Sequence, residues 1–297
     1  VFRTTAPVRV PAGAAGQAPA GVPRVVRAAR YAPTGPGAGY RPDAELEAFF
    51  RDLGAPYGAR FAAERYAAEP RRTSVELAYG ALDALGPLSG QDAPQLAVVA
   101  YATPDIDHAE LVASCVKRRL PGEPLAFGVS DQGVLGPFSA LRVAVEYARR
   151  CGFHRLLLLT LDQRTQPFDV PREEQDEVRA DVAVALLLHW GGGAGAVAGM
   201  AHGQPSPRLF DDWDRAVATV TGTGLTGDGP RLPAHTGPRA VAEPGQPCTG
   251  PWAALTDTAG PAGRVVVADY DRARDQLALC TLDLGERGAD DDSGRAA

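Results

Sequence analysis

The stretch VSDQGVLGPFSALRVA, residues 129–144, carries the reading of this chain. Its first residues close a short apolar strand, PLAFGVS, and its last ones open a helix with apolar residues at helical spacing, PFSALRVAVEYARRCG. Glycines at 133 and 136 make a tight turn between the two. A sharp strand-to-helix turn of this kind is where a nucleophile is held at the start of a helix. Outward from it, QLAVVAYA (95–102) reads as a buried strand, TPDIDHAELVASCVKRRL as a loop and helix, and HRLLLLTLD (154–162) as a strand covered on both faces. The alternation of strand and helix predicts an α/β protein with a mostly parallel, covered sheet.

Order begins near VVRAARYAP, and DAELEAFFRDL (43–53) with TSVELAYGALDALG (73–86) predicts two helices before the first buried strand. Beyond the polar link PREEQDEVRAD (171–181), VAVALLLHW and AGAVAGMAHG flank a GGG turn and predict a hairpin. Residues 203–246 are rich in Gly and Pro, with one helix expected at PRLFDDWDRAVATV. CTGPWAALTD then reads as a short helix, and RVVVADYD with QLALCTLDL as a closing antiparallel pair. Residues 1–24, rich in Pro, Ala and Gly, predict a flexible arm, and the acidic residues 285–297 a disordered tail.

At 297 residues the chain can bury a sizeable core, and 45% hydrophobic residues fit a globular protein. A formal net charge of −6, with Arg dispersed among acids, argues against nucleic-acid binding. No apolar run is long enough to span a bilayer and VFRTTAPVRV has no signal-peptide core, so a cytoplasmic protein without membrane contact is expected. Cys115, Cys151, Cys248 and Cys280 lie far apart, which favours reduced thiols over a zinc knuckle or disulfides. His108, His154, His189, His202 and His235 show no metal-ligand spacing, and no metal is expected.

GTGLTG (222–227) matches the dinucleotide-binding pattern, and Glu243 falls at the ribose-binding distance. It runs into GDGPRLPAHTGP, which cannot continue a helix, so a loop is expected. Ser130 and Ser139 lack the G-x-S-x-G frame, and no His or Asp stands in sequence to activate them.

In consecutive segments the chain resembles the ketoacyl synthase III branch of the thiolase superfamily. VVRAARYAP is similar to that family's opening strand and Y-x-P turn; GARFAAERYAAEPRRTSVELAYGALDALG to its G-I-R-x-R-R segment and T-S-x-L-A helix. QLAVVAYATPD is similar to the A-T-A-T-P-D strand, and LAFGVSDQGVLGPFSALRVA to the nucleophile turn F-D-V-S-A-A-C-S-G-F-x-x-A-L. HRLLLLTLD follows in place, and RADVAVALLL stands for the G-D-G-A strand with Asp181 retained. GQPCTGPWAALTD takes the place of Y-G-N-T-S-A-A-S-I-P, and VVVADYDRARDQLALCTLDL that of the final hairpin. The resemblance implies a thiolase-like layered αβαβα sandwich of two similar halves, 25–190 and a shortened 191–284, dimerised through strands next to the nucleophile turn.

The family's chemistry is thioester exchange by a Cys at a helix start, with a His and an Asn stabilising the enolate. Here the Cys position falls on Gly133 when aligned from Ser130, or on Val134 when aligned back from PFSALRVA. The H-Q-A-N segment has no counterpart in 203–240, and Thr249 stands where the Asn is expected. Gln132 beside the empty position, Asp131 as a helix cap or acid, and Cys248 ahead of a helix are the remaining catalytic candidates. Ser130, Gln132, Gly136 and Thr249 are the candidate substrate contacts. No resident cofactor is implied; an acyl thioester of acyl carrier protein or coenzyme A would be the substrate. Two functions are therefore expected. One is a non-nucleophilic subunit paired with an active ketosynthase, or with itself, in a polyketide or fatty-acyl pathway. The other is a stand-alone acyltransferase or malonyl decarboxylase working without the usual Cys.

Overall fold

The computed structural model describes residues 19–35, 37, 41–68, 72–103, 105, 111–168, 172–257 and 263–285. Most of the expected arm, His108 and all but the first residue of the expected tail lie outside them. The chain runs β1 (Pro23–Tyr31), α1 (Ala44–Gly54), α2 (Ala63–Ala68), α3 (Ser74–Leu85), β2 (Leu96–Tyr101), α4 (Val112–Arg119), β3 (Leu125–Val129), α5 (Gly136–Cys151) and β4 (Arg155–Asp162). It continues through β5 (Val182–Trp190), β6 (Ala196–Gly203), β7 (Ala218–Thr221), β8 (Arg239–Val241), α6 (Gly250–Asp257), β9 (Arg264–Asp271) and β10 (Gln276–Asp283). Local chemistry fixes the helix starts. The Asp43 carboxylate caps α1 through Glu45 and Leu46 N–H groups, and Thr73 with Glu76 forms a reciprocal capping box on α3.

All ten strands join one sheet in the order β3-β2-β4-β5-β1-β6-β10-β9-β7-β8. The order repeats: five strands β3-β2-β4-β5-β1 are answered by β8-β7-β9-β10-β6. Orientations repeat too. β2 is parallel to β3 and β4 as β7 is to β8 and β9, while β4–β5–β1 and β9–β10–β6 are antiparallel. The two sets meet where β1 touches β6 at Arg24↔Ala196. Helices α5 and α6 lie between them, since Leu141, Ala144 and Trp252 share one core with Leu156 and Leu158 of β4 and with Val267 and Cys280 of β9 and β10. Helices α3 and α4 cover the outer face of the first set through Leu77, Ala81, Cys115 and Val116. The outer face of the second set is covered by Phe210, Trp213 and Leu225 instead.

Several expectations are corrected. The sheet is mixed, because each set closes with two antiparallel strands. β5 and β6 do not form a hairpin: β1 lies between them, and the glycine-rich turn crosses its end. Gly195 (φ +87°) makes this crossing possible, since a Cβ there would stand 2.3 Å from the Val25 carbonyl oxygen. Three helices, not two, precede β2, because α2 forms in the 63–68 stretch. The expected helix at 207–220 is a single 3-10 turn at Pro207–Phe210 followed by strand β7, where the β-branched run ATVT prefers the pleated, buried environment. Among the described residues the second set therefore keeps all five strands without the outer helices that α3 and α4 provide in the first.

Candidate functional site

β3 ends at Val129, and the chain turns through Ser130, Asp131 and Gln132 into a 3-10 turn, Gly133–Leu135, that feeds α5. Asp131 (φ +60°) and Gly133 (φ +48°) both adopt the left-handed region. Strained backbone of this kind concentrates at functional turns. The Ser130 hydroxyl donates to the Asp131 carboxylate at 3.1 Å. Asp131 and Gln132 are exposed, whereas Val134 is fully buried in the core between the sheets.

A side chain at Gly133 would meet a carboxylate and would need the left-handed backbone that L residues rarely adopt. A Cβ on it would stand 2.6 Å from Oδ1 of Asp176 and 3.7 Å from Nη1 of Arg274. Asp176 comes from the short 3-10 turn Glu174–Asp176 in the link between β4 and β5. Its Oδ1 is shielded from solvent. Burial raises the Asp176 pKa, and the nearby charge of Asp271 adds to this, against the Gln175 amide and the charges of Arg274 and Arg172. Asp271, fully buried at the end of β9, accepts from the Arg274 N–H at 2.9 Å and pairs with its guanidinium. Arg274 in turn donates from Nη2 to the Asp131 carbonyl at 3.2 Å. The turn after β9 is thus tied to the turn after β3.

Cys248 and Thr249 meet the same turn from the other side. A Cβ on buried Gly136 would be 3.8 Å from Cys248 Sγ and 3.8 Å from Gln132 Cβ. Both Cys248 and Thr249 are fully buried, just ahead of α6. The Asp162 carboxylate, at the end of β4, accepts from the Cys248 N–H at 3.1 Å, the Thr249 N–H at 2.7 Å and the Thr249 hydroxyl at 2.6 Å. Burial raises the Asp162 pKa to about 6 although the Thr249 and Cys248 bonds hold it down. These acceptors satisfy N–H groups at the start of a helix and place a negative charge at its positive end. The same carboxylate works against a thiolate: burial first, and then Asp162, push the Cys248 thiol well above its ordinary value. A helix start that would activate an exposed Cys leaves this one protonated.

The structure therefore brings Gln132, Gly133, Gly136, Cys248 and Thr249 together, with Ser130 and Asp131 at the surface of the same turn. Sequence reasoning missed Asp162, Asp176, Asp271 and Arg274. A signal for two of them was present, since RLLLLTLD and RVVVADYD both end an apolar strand on an acid. Asp181 lies at the opposite end of the link, where its carboxylate accepts from the Arg164 N–H at 2.8 Å. The glycines of GTGLTG make a 3-10 turn around another buried acid: a Cβ on Gly222 would be 1.8 Å from Oδ2 of Asp269. Ser139 lies half-buried on α5. Among the described residues no cluster of His, Cys, Asp or Glu could hold a metal ion, and no helix is long and apolar enough to cross a membrane.

No family model and no curated protein sequence matches the chain. Solved structures do. The chain is similar to 3-oxoacyl-(acyl carrier protein) synthase III, FabH, from Pseudomonas aeruginosa PAO1, with a TM-score of 0.59 and 17% identity over 90% of this chain and 100% of that one. It is similar to AbyA1, a tetronic acid condensing enzyme, with a TM-score of 0.59 and 17% identity over 88% and 99% of the two chains. ChlB3, described as an acyltransferase, gives a TM-score of 0.53 at 11% identity over 89% and 98%. The repeated five-strand order, the two central helices and this likeness together give the chain the thiolase-like fold of the ketoacyl-(acyl carrier protein) synthase III structures.

Proposed function

We propose that this chain is a ketosynthase III-like protein of acyl-thioester chemistry that has given up covalent catalysis, and that it acts as the non-nucleophilic partner of an active ketosynthase in a polyketide or fatty-acyl pathway of the cytoplasm. The observation that carries the reading is the Asp176 carboxylate seated where a side chain at Gly133 would project. A nucleophile at that position would have to displace a shielded acid, and the Cys248 thiol beside Gly136 of the same turn is held protonated by burial. β3 is an edge strand of the sheet, with the half-exposed Tyr147 ring of α5 packed on Phe127 beside it. A partner subunit, or a second copy, would pair there and share an acyl cavity, with acyl carrier protein delivering the thioester and no cofactor needed.

Co-expression with a ketosynthase III that carries the Cys, His and Asn tests this directly. The expected result is a stable complex whose condensing activity falls when this chain is withheld, with no acyl adduct on this chain by intact mass. Gly133→Cys should also remain unacylated. A chain that stays apart from the synthase and leaves its activity unchanged overturns the reading. A second reading has one observation in its favour, the exposed Gln132 amide at the turn. With backbone N–H groups it could orient a thioester for direct acyl transfer or malonyl decarboxylation. Turnover of acyl or malonyl thioesters by the isolated chain would establish it, as an adduct on Cys248 would overturn both.

A further inference from the structure

A separate cavity opens on the other side of α5, toward β6 and β10, and no step of the proposed function uses it. Its walls are Phe138 and Leu141 of α5, Met200 of β6, and Leu279 and Cys280 of β10. Its volume of about 30 Å³ exceeds the roughly 10–15 Å³ that one water needs. The space therefore takes about two or three small groups, the size of a short carbon chain. The walls are apolar, and burial pushes the one thiol among them, Cys280, up to about 12. Water gains little there.

The mouth has the opposite character. The register Cys280↔Met200 and Ala278↔His202 sends Met200 and His202 to the same face of the sheet, the face turned toward α5. His202 thus stands at the rim together with Arg142 and Ser139 of α5. Among the described residues neither Arg142 nor His202 has a carboxylate partner, and the charge of Arg142 adds to burial in lowering the His202 pKa. An unpaired guanidinium, an imidazole and a hydroxyl converge on the entrance of an apolar hole. Concave apolar walls with a few convergent polar groups are the ordinary composition of a small-molecule site.

We infer that this cavity binds a short aliphatic monocarboxylate, its carboxylate on Arg142 and His202 and its carbon chain among Phe138, Leu141 and Met200. Guanidinium and carboxylate match in shape and charge, which fixes the head. The small volume limits the chain to about two to four carbons.

The test is titration of the full-length protein with acetate, propionate, butyrate and octanoate at constant ionic strength, followed by the NMR shifts of the His202 ring and the Met200 methyl. Saturable shifts of both are expected, tightening from acetate to butyrate and lost with octanoate. Arg142→Gln, a change at an exposed position, should weaken butyrate about tenfold. Met200→Trp should fill the cavity and abolish binding. Shifts that match those caused by chloride, or butyrate affinity unchanged in Arg142→Gln, overturn the site. The experiment needs no partner synthase, so its failure is distinct from failure of the proposed function.

Discussion

The two five-strand sets carry the same strand order and reach it with different coverings. In the first, α3 and α5 enclose β4, and its sequence is a run of leucines because both faces are dry. In the second, β9 has α6 on one face and Phe210, Trp213 and Leu225 on the other. A repeat can therefore lose its outer helices if bulky side chains from turns seal the same surface. The paired strands also end alike. β4 runs from Arg155 to Asp162 and β9 from Arg264 to Asp271, eight residues each, and each terminal acid is fully buried. Asp162 is used across the molecule, to start α6. Asp271 is used locally, by Arg274 of its own turn.

The covering of the second set by turns makes its glycines the most vulnerable points. Gly224→Ala is expected to prevent folding, since its Cβ would fall 1.8 Å from the Tyr270 carbonyl oxygen. Gly192→Ala, with nothing within 4 Å, should leave the thermal midpoint nearly unchanged. Soluble yield and circular dichroism compare the two; equal behaviour would mean that the 222–229 turn does not seat on β9 as described.

The terminal acids should differ next. Asp162→Ala removes the acceptor of buried donors on Cys248 and Thr249 and is expected to cost about 3 kcal/mol in denaturant unfolding. Asp271→Ala leaves an arginine that is half in water, with 51% of its side chain exposed, and should cost about 1 kcal/mol. Equal costs would erase the distinction between the long-range and the local acid.

The two buried acids with raised values also impose a pH dependence. Asp269 is pushed up to about 8 by burial, against hydrogen bonds from Tyr270 and Gly224, and Asp162 to about 6. Both native values lie above the unfolded value near 3.8, so the native state holds more protons. The stability these two groups contribute is then full below about pH 4 and is lost as the pH rises, through about 6 for Asp162 and about 8 for Asp269. Thermal midpoints measured between those values should decline, and Asp269→Asn should flatten the upper part of the curve. A variant that still declines there assigns the effect to another group.

Much of this was readable in one dimension. Apolar runs bounded by glycine and proline placed β2, β4 and the closing pair β9–β10, and the helical spacing of TSVELAYGALDALG placed α3. Those signals are local, set by period and capping. The failures were local readings of non-local facts. VAVALLLHW-GGG-AGAVAGMAHG has every feature of a hairpin, yet β1, from far earlier in the chain, takes the place between its strands. PRLFDDWDRAVATV has helical spacing, yet its bulky residues serve as a cover and its β-branched end as a strand.

The sequence by itself determined the strand-to-helix turn at 129–144 and the order of elements that a thiolase-like sheet requires. Only the tertiary structure decided which groups face Gly133 in that turn. Asp176 and Arg274 lie in a link and a turn with no periodicity to mark them, and they reach Gly133 because the segments after β4 and β9 both come to the start of α5. Chain proximity fixes elements through short-range hydrogen bonding and side-chain period. The meeting of distant polar groups is fixed by packing of the two sheets on α5 and α6, and no local sequence pattern records it.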